Sequence, residues 1–301
     1  MKHHSTQTAV ATDKAKAPGI WADFAQLVKF RLTALVLFSA GMAYAIAAGA
    51  QFNALALTLL LTGGFLVTGA SNAINQVLER DFDKLMRRTA NRPLAAGRMT
   101  VSTAVLIAGL MALAGISMLS VFNPWTGFIG MLSFISYAFV YTPMKRSTPL
   151  SVLVGAVPGA LPLVIGTAAF EHSISSLGLF LFALQFLWQF PHFWAVAWLG
   201  DEDYKRAGYQ LLPTADGKVG PGIGSLSLVF CVLLEVNALI GWQMNFFGWP
   251  ALVLLTLLNA YFGWRCFQLY RDCTREAARR QMFASFLHLP LSLIVLLIDK
   301  L

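Results

Sequence analysis

Three oxygen-bearing side chains recur at four-residue intervals near residue 80 of this 301-residue chain. Asn75, Glu79 and Asp83 stand at i, i+4 and i+8, a spacing that puts them on one face of a helix. Two carboxylates this close repel each other, so a cation is expected to hold them together. Because the three side chains offer only oxygen ligands, the pattern predicts a Mg²⁺ site. The alternative is a solvated helix end with ordinary salt bridges to its basic neighbours.

A second acidic group, Asp201, Glu202 and Asp203, lies farther along the chain and is followed closely by Lys205. Basic residues occur near both acidic groups in the sequence. Arginine binds phosphate through paired hydrogen bonds, whereas carboxylates reach a diphosphate only through a bridging metal ion. Acids, metal and cations together predict a diphosphate site. Its basic candidates are Arg31, Arg87, Arg92, Arg98, Lys145 and Arg146.

The composition of the whole chain is that of an integral membrane protein. Hydrophobic residues make up 57% and charged residues 12% of it, and its mean hydropathy is +0.65. Soluble domains carry about 25% charged residues, and apolar runs of about 20 residues can cross a bilayer. The sequence therefore predicts an all-α membrane protein and excludes a secreted, disordered or nucleic-acid-binding one, despite a net charge of +8. Nine transmembrane helices are predicted, over residues 30–49, 54–78, 101–120, 125–142, 150–169, 174–198, 222–243, 248–269 and 282–299.

The basic residues divide unequally between the two sides that this span count defines. The N-terminal flank and the even-numbered loops carry 21 of the 22 Lys and Arg residues, and only Lys300 falls on the other side. The positive-inside rule then puts the N-terminus and both acidic groups in the cytoplasm and the C-terminus on the opposite side. Residues 1–24 are predicted to be a mobile cytoplasmic tail, and residues 25–301 a single domain. Because the tail contains no arginine, a bacterial inner membrane is favoured over a mitochondrial one.

Several residues inside the spans are unusual for lipid surroundings. The fifth span contains Pro158 and Pro162 among glycines, which predicts a bent or locally unwound helix that lines a cavity. Asn72 needs a hydrogen-bond partner at membrane depth, and Glu235 is expected to be a hydrogen-bonded packing residue. An apolar cavity beneath a diphosphate site predicts the Mg²⁺-dependent ionisation of a lipidic diphosphate.

The spacing of Asn75, Glu79 and Asp83 resembles the first aspartate-rich motif, NxxxDxxxD, of the UbiA-type intramembrane prenyltransferases, which have nine helices. Four further segments together resemble the protoheme IX farnesyltransferase branch of that family, and the resemblance covers about residues 25–299. These segments are Arg88-Thr-Ala-Asn91-Arg92-Pro93, Tyr141-Thr-Pro-Met-Lys145-Arg146, Pro191-His192-Phe193-Trp194 and Asp203-Tyr204-Lys205-Arg206.

Two positions depart from the pattern of the family. Glu79 stands where the family has Asp, which lengthens its reach by one methylene group. The second family motif is DxxxD, whereas Asp201 and Asp203 are two residues apart and residue 207 is Ala. This departure favours Asp203 over Asp201 as a metal ligand.

The resemblance implies a UbiA-like helical bundle around a central cavity that opens to the cytoplasmic face. It implies Mg²⁺ as the cofactor, held by Asn75, Glu79, Asp83 and Asp203, with Lys205 also in the catalytic set. The donor would be farnesyl diphosphate and the acceptor the 2-vinyl group of haem b, so that the product is haem O for terminal oxidase assembly.

For His192 and Tyr141 the resemblance implies contact with the haem acceptor. The alternative for His192 is an interior histidine that bonds to a neighbouring helix. Two other functions stay open, namely a prenyltransferase of the same fold that acts on a hydroxybenzoate or a chlorophyllide, and a membrane transporter. A haem A synthase or another oxidase assembly protein is the expected protein partner.

Overall fold

The computed structural model describes residues 19–213 and 219–301, so residues 1–18 of the predicted tail lie outside the described residues. In the described ranges, nine helices are long and apolar enough to cross a membrane. This confirms the predicted all-α fold with nine spans. The division at residue 25 stays a prediction, although a helix already begins at Ile20.

Thirteen helices of the described chain pack together as a bundle. The bounds of most spans agree with those predicted, but the last span begins at Arg275 rather than near residue 282. The helices are α1 (Ile20–Leu27), α2 (Phe30–Ala48), α3 (Ala54–Leu78), α4 (Arg80–Asp83), α5 (Val101–Ser120), α6 (Pro124–Ile135), α7 (Thr142–Met144), α8 (Ser151–Glu171), α9 (Ser176–Leu199), α10 (Asp201–Arg206), α11 (Pro221–Gln243), α12 (Trp249–Asp272) and α13 (Arg275–Lys300).

Capping side chains and prolines explain where many of the spans begin. The side chain of Asn53 accepts hydrogen bonds from the N–H groups of Leu55 and Ala56, in the first turn of α3, at 3.0 and 3.1 Å. Asn123, Ser175 and Thr274 cap α6, α9 and α13 in the same way. Such caps satisfy backbone donors that have no partner within the helix. Proline occupies the first turn of α6, α11 and α12, where its missing N–H costs nothing.

Helix α8 is the most buried of the nine spans and packs against α2, α6 and α9. The locally unwound segment predicted there is absent, because α8 is a continuous helix although it contains Pro158 and Pro162. Neighbouring side chains satisfy its carbonyl groups. Pro162 has no N–H to donate to the Pro158 carbonyl oxygen, and Ser133 donates to this oxygen instead. Gln185 donates to the carbonyl oxygen of Gly159.

Polar side chains at the end of α3 hold the corner between α1 and α2. Asn72 donates to the Val28 carbonyl oxygen at 3.2 Å and to Thr33 Oγ1 at 3.1 Å. Gln76 donates to two backbone carbonyl groups at the end of α1, each at 2.8 Å. Asn72 is therefore partnered, as expected for an amide at this depth. These bonds also fix the position of Lys29, which lies at the corner.

A second polar network joins α11, α12 and α13. Glu235 accepts hydrogen bonds from Thr256 Oγ1 at 2.6 Å and from Asn259 Nδ2 at 2.8 Å. The side-chain oxygen of Asn259 lies 2.7 Å from His288 Nε2. The expectation that Glu235 is a hydrogen-bonded packing residue is thus confirmed.

Candidate active site

The end of α3 and the one-turn helix α4 carry the predicted acidic motif into the interior of the protein. Asn75, Glu79 and Asp83 are only 0%, 5% and 1% exposed. A solvated helix end, the alternative interpretation of this motif, is therefore wrong. Each of the three side chains faces a cation from another part of the chain. We call the set Lys29, Asn75, Glu79, Asp83, Arg92 and Lys145 the buried cluster.

Asn75 has a fixed orientation within the buried cluster. Its amide nitrogen donates to Thr142 Oγ1 at 3.1 Å, and Thr142 in turn donates to the Tyr137 carbonyl oxygen at 2.9 Å. The amide oxygen accepts a hydrogen bond from Lys29 Nζ at 2.6 Å. A π-helical turn over Ser136–Tyr141 brings Thr142 to this place, and such turns are frequent at functional sites.

Lys29 lies between α1 and α2 with φ at 48°, in the left-handed region that non-glycine residues rarely adopt. The hydrogen bonds that hold the corner maintain this conformation and direct the ammonium group to Asn75. Burial, followed by the charges of Arg92 and Lys145, lowers the pKa of Lys29. Sequence reasoning missed Lys29, since a basic residue before a first span is ordinary.

Asp83 and Arg92 form a two-bond ion pair, with Arg92 Nη1 at 2.9 and 2.8 Å from the two carboxylate oxygens. The loop after α4 is folded tightly enough to return Arg92 to the helix. Thr89, which is buried, donates to the Asp83 carbonyl oxygen at 2.9 Å and accepts from the Arg92 N–H. Arg92 is thus directed to the acidic motif, and its binding of a diphosphate stays a prediction.

Glu79 pairs with Lys145, whose Nζ is 2.8 Å from Glu79 Oε1. Burial opposes both charges, but each partner stabilises the other, so the pKa of Glu79 is lowered and that of Lys145 is raised. Lys145 also lies 4.7 Å from the centre of the Tyr141 ring and 5.9 Å from that of Tyr209. Burial, followed by the charge of Glu79, raises the pKa of Tyr209, which keeps this phenol neutral. Sequence reasoning missed Tyr209.

The second acidic group lies on α10, which packs over the loop that follows α4. Tyr204 makes the contact, since its hydroxyl accepts a hydrogen bond from Arg88 at 3.2 Å. The acidic residues of α10 are paired locally. Asp201 bonds to Lys205 at 2.8 Å and Asp203 to Arg206 at 3.2 Å.

No ion pair or hydrogen bond of the described chain connects Asp203 or Lys205 to the buried cluster. Within residues 19–213 and 219–301, no three or more acidic, histidine or cysteine side chains are grouped closely enough to hold a metal ion. A metal role for Asp203 and a catalytic role for Lys205 stay predictions.

The other predicted phosphate-binding residues have different surroundings. Arg98 donates to Asp23 at 2.8 Å and to both oxygens of Asn91, so its guanidinium group joins α1 to the loop. Phosphate binding by Arg98 stays a prediction. The guanidinium of Arg146 lies 4.0 Å from the centre of the Phe82 ring. The two remaining candidates, Arg31 and Arg87, are exposed.

In a comparison with known protein families, residues 35–289 match the UbiA prenyltransferase family. The chain belongs to this family. The protoheme IX farnesyltransferase of Cytophaga hutchinsonii is 40% identical to it over 276 residues, which cover 91% of this chain and 96% of the relative. As a member of a prenyltransferase family, the chain is an enzyme, and the transporter alternative is excluded.

Two solved structures show the same fold as this prenyltransferase. One, of digeranylgeranylglyceryl phosphate synthase, has a TM-score of 0.78 at 15% identity and covers 92% of this chain and 97% of its own. The other is a UbiA homologue from Archaeoglobus fulgidus bound to GPP and Mg²⁺. It has a TM-score of 0.66 at 16% identity and covers 91% of this chain and 99% of its own.

The ring of Tyr141 packs between Lys145 and Gly155 of α8. A Cβ atom on Gly155 would lie only 2.5 Å from the Tyr141 ring, so this close approach requires glycine. The ring of Tyr137 lies 5.3 Å from that of Tyr141, between centres. Tyr141 therefore borders the buried cluster.

His192 lies on α9 against α13, where its Nδ1 is 2.7 Å from Ser285 Oγ. Its ring stacks on Trp188, with centres 4.8 Å apart and planes at 12°, and meets the edge of Phe286. In the described structure, His192 makes no hydrogen bond or ring contact with Tyr141. The predicted bond to a neighbouring helix is present, and a haem contact stays a prediction.

Proposed function

We propose that this prenyltransferase transfers the farnesyl group of farnesyl diphosphate to the 2-vinyl group of haem b and so forms haem O. The observation that carries the proposal is the buried cluster, in which three cations face two carboxylates and a carboxamide. The name of the 40% identical relative supports the choice of donor and acceptor.

The buried cations have the chemistry needed to bind and release a diphosphate. Lys29, Arg92 and Lys145 outnumber the carboxylates Glu79 and Asp83, so the cluster attracts an anion. Because these groups are withdrawn from water, their interaction with a phosphate oxygen is stronger than it would be at the surface. They stabilise the diphosphate as the allylic C–O bond breaks and the leaving group takes the electron pair.

The donor atoms of the buried cluster fit Mg²⁺. They are all oxygens, and Mg²⁺ at phosphates is bound by only one or two carboxylates together with the phosphates themselves. Asn75, Glu79 and Asp83 would hold the ion, with Asp203 of α10 as a further proposed ligand. When bound, Mg²⁺ supplies positive charge that neutralises the diphosphate. The cations now paired with the acids would then turn to the phosphate oxygens.

Loss of the diphosphate leaves a farnesyl cation, which reacts with the haem acceptor. The vinyl π electrons of haem b attack the allylic carbon, water adds to the new cation beside the porphyrin, and a proton is lost to give the alcohol. The Tyr141 ring, which lies beside the buried cluster, would face the allylic cation. His192 would contact the haem acceptor.

The proposed location is a bacterial inner membrane, with the buried cluster and the N-terminus on the cytoplasmic side. The basic asymmetry of the loops supports this orientation. Haem O synthesis also implies delivery to a membrane protein that consumes it, and a haem A synthase or another oxidase assembly protein is the proposed partner.

The decisive experiment measures the haem of bacterial membranes that contain the enzyme or its Asp83→Asn variant. We expect a haem whose mass exceeds that of haem b by one farnesyl group and one hydroxyl group, and only with the wild type. Purified enzyme is then given labelled farnesyl diphosphate with either haem b or 4-hydroxybenzoate. Transfer to the benzoate without transfer to haem would overturn the proposed acceptor.

A further inference from the structure

The hydroxyl group of Ser285 determines how the His192 ring is protonated. Ser285 is fully buried on α13, and its Oγ lies 2.5 Å from the Met282 carbonyl oxygen. A carbonyl oxygen only accepts hydrogen bonds, so the single hydroxyl proton is donated there. The 2.7 Å contact between Ser285 Oγ and His192 Nδ1 must then be donated by the imidazole.

A neutral imidazole has one N–H group, so this contact leaves the lone pair on Nε2. Nε2 makes no hydrogen bond to any described residue. Trp188 holds the same arrangement from the other side, because its ring stacks on His192 and its Nε1 donates to the Ser285 carbonyl oxygen at 2.9 Å. The plane of the ring and the position of its acceptor are thereby fixed together.

We infer that Ser285 is a positioning residue, which holds His192 in the Nδ1–H tautomer and so presents the Nε2 lone pair to the haem acceptor. The identity of that acceptor depends on the proposed function, whereas the tautomer follows from the hydrogen bonds alone. Histidines that bind metal ions usually donate their other N–H in this way, and loss of the partner typically weakens binding 10- to 100-fold.

His288, a histidine that is buried on α13, provides an internal reference for the tautomer of His192. Asn259 donates its amide to Glu235, so its oxygen accepts from His288, and His288 must carry its proton on Nε2. The two histidines that lie within the spans are therefore expected to be opposite tautomers. The wild-type spectrum tests this expectation once its histidine signals are assigned.

The first measurement is nitrogen NMR of the detergent-solubilised full chain labelled with ¹⁵N-histidine, which distinguishes protonated from bare ring nitrogens. A His192→Gln spectrum assigns the His192 signals. We expect Nδ1–H in the wild type and a mixture or the Nε2–H form in Ser285→Ala. An Nε2–H tautomer for His192 in the wild type would overturn the inference whatever the Ser285→Ala spectrum shows. So would unchanged His192 signals in Ser285→Ala.

The second measurement is haem b affinity, read from the haem absorbance of purified protein. Ser285→Ala should weaken binding about 10-fold or more, and Ser285→Thr, which keeps the hydroxyl, should restore it. Ser292→Ala is the matched control, since this serine is equally buried on α13 but bonds only to a backbone carbonyl group. Protection by farnesyl diphosphate against thermal unfolding shows that each variant is folded.

The haem contact of His192 and the positioning of its ring by Ser285 are disproved by different results. If His192→Ala binds haem b as well as the wild type does, the proposed haem contact is wrong, and the NMR result alone decides the role of Ser285. If His192→Ala loses haem affinity while Ser285→Ala keeps it, Ser285 does not position the ring, and the inference is overturned.

Discussion

Lys145 Nζ lies 2.8 Å from Glu79 Oε1, and both side chains are largely buried. These residues are 66 positions apart in the sequence, so the pair joins the end of α3 to the end of α7. Removing one partner leaves a charge that is buried without its counterion.

We expect Lys145→Met to lower the free energy of unfolding by about 3 kcal/mol because it isolates the Glu79 carboxylate. A Lys145→Met/Glu79→Gln double variant, which removes both charges, should recover part of this loss. Thermal unfolding in detergent without substrate measures both effects. Equal stability of the single variant and the wild type would show that the pair contributes nothing to the fold. Both variants should lack turnover.

The lowered pKa of Glu79 makes a prediction about pH. Its folded-state pKa lies below the ordinary value of 4.5, so its ionised form stabilises the fold at any pH above that value. The stabilisation should be lost as the pH falls through the folded-state pKa. The difference in Tm between wild type and Glu79→Gln should therefore be constant near neutral pH and shrink only below 4.5. A difference that shrinks well above this pH would contradict the assigned shift.

Asp83→Asn should reduce turnover by about 100-fold or more, because it removes the charge of a proposed Mg²⁺ ligand with little change in shape. Asp81→Asn is the matched control, since Asp81 is exposed on the same helix and pairs only with Arg80 and Lys84. Glu79→Asp should retain more activity than Glu79→Gln. Turnover at saturating Mg²⁺, with Tm as the folding check, compares the four variants. Full activity of Asp83→Asn would remove this residue from the site.

Gly155→Ala should impair the enzyme by displacing Tyr141. The added Cβ would lie 2.5 Å from the ring, so either the ring or α8 must move. Such overpacking costs about 1–3 kcal/mol of stability. Gly109→Ala, at an exposed position with open space around it, is the control and should leave Tm and turnover unchanged. An unchanged Tm and turnover for Gly155→Ala would show that the close approach to Tyr141 is not needed.

Sequence patterns predicted the spans and the acidic face because both follow from local periods of the chain. A 3.6-residue repeat aligns Asn75, Glu79 and Asp83 whatever surrounds them. Which basic residues pair with this acidic face could not be predicted in this way, because the partners come from distant parts of the chain. Arg98 bonds to Asp23, which is 75 positions away, although it lies in the same loop as Arg92. Packing of the α1–α2 corner, rather than any motif, selects Lys29.

The orientation of the protein in the membrane can be tested with its own cysteines. Cys273, between α12 and α13, is exposed, whereas the other two cysteines are buried. Ser173, in the loop between α8 and α9, is exposed at the opposite end of the predicted topology. A thiol reagent that does not cross membranes should label Cys273 only in inside-out vesicles. It should label Ser173→Cys, in a Cys273→Ser background, only in right-side-out cells. The opposite pattern would put the buried cluster on the external side, away from cytoplasmic farnesyl diphosphate, and would contradict the orientation drawn from the 21 basic residues on one side.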